Sequence, residues 1–122
     1  MNTFSKIQVL LFCCAAILGS CRHDVVVPDS PEVSFSHDVQ SIIIGNCAYS
    51  GCHTGDEGEQ FSLITYEEIT GIVEKGNARD SKLYQSVNGK SMKLMPPSPQ
   101  ALLTNEQISL IYVWIEQGAK NN

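Results

Sequence analysis

The stretch that decides the reading of this chain is "NCAYSGCHTG", residues 46–55. Cys47 and Cys52 stand with four residues between them, and His53 follows the second cysteine directly. Three chemistries use such residues at close spacing: covalent haem attachment, a disulfide beside an unrelated histidine, and a metal site. The common haem-attachment pattern has two residues between its cysteines. The spacing alone therefore selects none of the three, and the rest of the chain has to supply the context.

The first residues, "MNTFSKIQVLLFCCAAILGSC", carry one basic residue, Lys6, before an apolar run from Ile7 to Leu18. A membrane-spanning helix needs about 20 apolar residues, and this run is shorter. Its length suits the apolar region of a secretory signal. The segment closes on "LGSC", which resembles the lipobox of bacterial lipoproteins, with Leu18 three positions before the cysteine. The resemblance implies a signal over residues 1–20, lipidation of Cys21, and a domain exported and anchored by lipid to a bacterial membrane. The alternatives are an ordinary signal cut nearby and an N-terminal anchor that stays on.

The full chain of 122 residues, enough for one domain, has a net charge of −5. Removal of residues 1–20 leaves seven basic against thirteen acidic side chains, or −6. Such a balance argues against nucleic-acid binding. It suits a carrier that docks on a basic partner, although plain solubility explains it as well. The cysteines sort by position. Cys13 and Cys14 fall in the signal, Cys21 at its end, and only Cys47 and Cys52 in the domain. Outside the cytoplasm, free thiols tend to oxidise, so these two are expected to be bonded to each other or to something else.

Residues 21–33, with two prolines and no helical period, read as a tether. His23 has no role there. The domain, residues 34–122, reads as all-α with about four helices. The first starts near Ser34 or Ser36 and buries Phe35, Val39, Ile42 and Ile43 on one stripe. His37 falls on the opposite face. Thr65 and Glu68 form a capping-box pattern with an Ile64–Ile69 staple, announcing a helix that ends near Lys75 and Gly76. "DSKLYQSV" predicts a short helix capped by Asp80 that buries Leu83, Tyr84 and Val87. Thr104 and Gln107 repeat the capping box, with Leu103 and Ile108 as staple, and Gly118 ends the last helix. Its apolar residues cover more than half the circumference, which predicts packing on two sides. No segment has a strand pattern. "DEGE", residues 56–59, reads as an exposed loop. So small a core is marginal on its own, and a buried haem would add apolar surface to it.

In covalent haem attachment, two cysteine sulfurs form thioethers with the haem vinyl groups, and a histidine next to the second cysteine is held under the iron. Here the loop "AYSG" must bulge outward for the sulfurs to keep their separation. Ala48, Ser50 and Gly51 are small, and Gly51 can adopt the left-handed conformation that returns the chain to Cys52. With "FSHDVQSIIIGNC" before the motif and "MPPSPQALLTNEQISLIYVWIEQGA" after it, the chain resembles the class I cytochromes c from about Phe35 to Ala119. C-x4-C-H spacings also occur among c-type haem proteins.

The resemblance implies a small cytochrome c-like fold around one covalent haem c. It implies thioethers at Cys47 and Cys52, His53 as proximal iron ligand, and Met95, ahead of Pro96 and Pro97, as distal ligand. The prolines are expected to stiffen that loop in an extended form. Met92 is the competing methionine, without prolines after it. Trp114 and Tyr112 are placed to touch the haem or the first helix. The implied function is electron transfer between redox partner proteins, with no substrate chemistry of its own. A haem enzyme or gas sensor is a variant of this reading that needs an open iron position, with Met95 absent or displaceable. Two readings without haem also remain. One is a haem-free interaction domain with a Cys47–Cys52 disulfide. The other is a zinc site on Cys47, Cys52 and His53, which lacks an evident fourth ligand.

Overall fold

Ser34 starts the first helix. In the computed structural model, which describes residues 30–56, 61–91 and 93–122, its hydroxyl accepts the His37 N–H at 3.3 Å. Helix α1 opens with a widened, π-helical turn at Phe35–Val39 and continues as a regular α-helix over Gln40–Asn46. The Ser34 carbonyl accepts from both Asp38 and Val39 N–H groups, at 3.0 and 3.2 Å, which produces the widening. Phe35, Val39, Ile42 and Ile43 are buried and His37 is exposed, as the spacing predicts.

Helix α2, Tyr66–Thr70, carries the predicted capping box, with Thr65 and Glu68 each accepting from the other's backbone N–H. It is shorter than the sequence predicts. Beyond Gly71 the backbone groups that would extend it are used elsewhere: the Ile72 carbonyl accepts from Leu83 N–H at 3.1 Å, and Glu74 N–H donates to Ser81 Oγ at 2.8 Å. Ile64 stays exposed while Ile69 is fully buried, so the expected staple does not bury it.

A 3-10 turn at Ala78–Asp80, capped by Asn77, precedes helix α3, Lys82–Val87. Asp80 is therefore the last residue of that turn and not the cap of α3. Ser81 occupies the cap position, but its buried hydroxyl points inward and donates to the Asn77 carbonyl at 2.8 Å. Leu83 and Val87 are buried and Tyr84 is half-buried.

Helix α4, Asn105–Glu116, has the predicted Thr104–Gln107 capping box. Leu103 and Ile108 both join the core. The helix closes in a Schellman motif: Gly118, at φ +97°, donates to Ile115, and Ala119 donates to Trp114. One side of α4 meets α1, where the Trp114 and Phe35 rings lie 5.6 Å apart. The other meets α3, where Tyr112 and Tyr84 lie 5.2 Å apart, and the 3-10 turn, where Glu116 accepts from Ala78 N–H. The expected two-sided packing is thus present.

Both ends of the described chain are tied at one pole. Gln117 Oε1 accepts from Val33 N–H and Asn122 Oδ1 from Phe35 N–H, at 2.9 and 2.8 Å, and Lys120 pairs with Glu32. The described residues are helical and contain no strand, and none of their helices is long and apolar enough to cross a membrane. The signal over residues 1–20, Cys21, His23, most of the tether, Met92 and residues 57–59 of the acidic loop lie outside the described residues.

Candidate functional site

Helix α1 delivers the first cysteine. Cys47 N–H donates to Ile43 at 2.8 Å, so the residue closes the helix and its side chain is buried beneath the end. The next residues fold back on that point. Cys52 N–H donates to Tyr49 at 2.9 Å and His53 N–H donates to Cys47 at 3.3 Å. Gly51 sits at φ +83°, the left-handed conformation expected of it. The Tyr49 hydroxyl donates to the Gly45 carbonyl, which fastens the bulge to the end of α1. The loop therefore bulges outward while Cys47 and His53 stay close in the fold.

His53 is buried and oriented. Its Nδ1 lies 2.8 Å from the Phe61 carbonyl. A carbonyl only accepts, so Nδ1 carries a proton in this bond, and in the neutral ring Nε2 is then the nitrogen with the lone pair. Metal-ligating histidines commonly hold their second nitrogen in this way. The Phe61 ring centroid lies 4.9 Å from that of the imidazole, and Leu63 N–H donates to the His53 carbonyl at 3.0 Å. Residues 61–63 thus form a support for the histidine.

Cys47, Cys52, His53 and Met95 all line one cavity of about 620 Å³. That volume lies within the roughly 300–1,000 Å³ of small-molecule and cofactor sites. Its apolar wall is Leu63, Ile72, Leu83, Val87 and Phe61. Met95 reaches it from the loop after α3, which is fixed by the bond from Met95 N–H to the Ser86 carbonyl at 2.9 Å. Pro96 is buried, and both Pro96 and Pro97 line the same cavity. The loop is not extended as expected. Gln100 N–H donates to Pro97 at 3.1 Å and closes a turn directly after the methionine. Trp114 and Tyr112 are absent from the lining, and each packs between helices.

Cys47 and Cys52 are both free thiols. Burial, with the neighbouring Cys52 adding, pushes the Cys47 thiol up to about 11. At neutral pH it is protonated. Among the described residues no group of three or more histidine, cysteine, aspartate or glutamate side chains is arranged to hold a metal ion. The zinc reading thus gains no support, and His37 is exposed on the face of α1 away from its buried stripe.

Sequence reasoning missed the Phe61 carbonyl and the two cationic side chains of the cavity, Lys82 and Lys93. No protein-family model, curated protein or solved structure matches this chain.

Proposed function

We propose that the chain is a monohaem c-type cytochrome with a cytochrome c-like fold, lipid-anchored outside the cytoplasm through Cys21 and transferring electrons between redox partner proteins. One observation carries the reading: the two thiols, the oriented imidazole and the methionine, spread over residues 47–95, converge on one apolar-walled cavity. The donor set suits haem c. Cys47 and Cys52 would form the thioethers, His53 Nε2 and the Met95 sulfur would ligate iron, and Leu83 and Val87 would cover the porphyrin. The crossing of α1 and α4 through Phe35 and Trp114 agrees with the helix pairing of that family.

When bound, haem c supplies a one-electron change at iron, and His/Met ligation sets its potential high. The chain's part is positional. The Phe61 carbonyl keeps the His53 proton on Nδ1, and the turn closed by Pro97 and Gln100 holds Met95 toward the cavity. Two side-chain ligands leave no place for a substrate, so the reading is a carrier and not an enzyme.

The test is the full chain, with its leader, expressed alongside haem-attachment machinery. The expected product retains haem through acid-acetone extraction, shows a reduced-minus-oxidised c-type spectrum, and gains one haem in mass. A product lighter by two hydrogens, with no haem, identifies the Cys47–Cys52 disulfide and overturns the proposal.

A further inference from the structure

The charge of the cavity runs opposite to the charge of the chain. Acidic side chains outnumber basic ones, thirteen to eight. Yet among the described residues no aspartate or glutamate lines the cavity, whereas Lys82 and Lys93 both do. They approach from two elements, Lys82 from the first turn of α3 and Lys93 from the loop leading to Met95. Both are exposed, and neither makes an ion pair within the described residues.

The neutral polar side chains of the lining are largely committed. Asn46 Nδ2 donates to the Ile42 carbonyl at 2.7 Å, Gln85 Nε2 to Arg79 at 2.8 Å, and Ser86 Oγ to Leu83 at 2.8 Å. The strong donors left over are the two ammonium groups. An apolar wall with two exposed cations among its lining residues fits an amphipathic dianion: a flat apolar body carrying carboxylates. Lysine suits such a place, because its stem lies along apolar surface while its head stays in water.

We infer that Lys82 and Lys93 are the carboxylate-binding residues of this cavity, pairing with the two propionates of the haem and raising its reduction potential. The inference rests on the haem reading above. Its electrostatics are direct. Each ammonium offsets a propionate charge that would otherwise stabilise the oxidised, more positive iron. Removal of either lysine therefore favours oxidation and lowers the potential. Each lysine would offset a different propionate, so loss of both lowers the potential further than loss of one.

The test uses the haem-attached full chain and measures reduction potential at low salt. The variants are Lys82→Gln, Lys93→Gln and the double variant. Lys82→Arg/Lys93→Arg keeps both charges. Lys90→Gln removes one exposed lysine that does not line the cavity. The expected result is a fall in each single variant, a larger fall in the double, and a potential near the unmutated value for the arginine pair. Lys90→Gln should shift it least. Equal shifts from Lys90→Gln and either cavity lysine overturn the inference, while an intact c-type spectrum in those samples leaves the haem reading standing. Failure to attach haem in the unmutated chain removes both.

Discussion

The buried Cys47 thiol gives the sharpest test of the cavity. Its ionisation is pushed from 9.0 up to about 11, chiefly by burial under the end of α1. Alkylation by iodoacetamide consumes thiolate. At pH 8 a rise of that size lowers the thiolate population about a hundredfold relative to an unfolded chain. The thiolate that does form is more nucleophilic, by roughly six- to tenfold on a Brønsted slope of 0.4–0.5. The net expectation is that Cys47 in the folded, haem-free full chain reacts at least about tenfold more slowly than the same residue in denaturant, with restricted access adding to this. The assay is a time course of alkylation under both conditions, with the Cys47 peptide quantified by mass spectrometry and normalised to a free thiol reagent. The rate gap should close as pH rises through about 11. Stability follows the same linkage. The folded state holds its proton more tightly, so the contribution is complete below about pH 9 and is lost between there and about pH 11, by up to ~3 kcal/mol. If Cys47 reacts equally fast in native buffer and in denaturant, the thiol is not buried as described and the geometry of the cavity is wrong.

With haem attached as proposed, Met95→Ala should give an iron that binds carbon monoxide more readily than the unmutated protein, seen as a shifted absorbance band; equal binding by the unmutated protein would show that Met95 is not a firm ligand. Gly51→Ala forces a side chain into φ +83° and should cost about 1–2 kcal/mol, read as a lower melting temperature and as more singly attached product by intact mass. An unchanged mass distribution with an unchanged melt would mean the loop does not need that conformation. Thr104→Ala removes the cap of α4 and should cost about 1 kcal/mol, a fall of roughly 4–8 °C for a domain of this size in thermal circular dichroism. In haem-attached protein the c-type spectrum should be unchanged, since Thr104 does not line the cavity.

Helix starts were legible because capping is local chemistry. Thr65 with Glu68 and Thr104 with Gln107 announce themselves over four residues, and both boxes are present. Helix ends were less so. Helix α2 stops at Thr70 and not near Lys75 because residues 72 and 74 bond to residues 83 and 81, partners far along the chain. Asp80 does not cap α3 because it is taken into the preceding 3-10 turn, where its N–H donates to Asn77 Oδ1 and its carboxylate accepts from Asn77 Nδ2. The cavity residues Cys47, Cys52, His53 and Met95 were all readable, since cysteine, histidine and a Met-Pro pair are chemically distinctive. The Phe61 carbonyl was not, because every residue has a carbonyl and only the fold selects one. Lys82 and Lys93 were hidden by an acidic total, which averages over a surface whose charge is unevenly distributed.

The tie between the two ends of the described chain has a structural consequence. Gln117 Nε2 donates to the Pro31 carbonyl at 3.1 Å, and Lys120 and Asn122 add further attachments at residues 32–35. These contacts join the chain just before α1 to the segment just after α4, so the two ends are fastened to each other and not only to the backbone on either side. The residues that line the cavity, 46–100, contribute nothing to this tie. The tie and the cavity are thus separate pieces of the fold, and fraying at residues 30–35 breaks none of the hydrogen bonds that hold His53 and Met95.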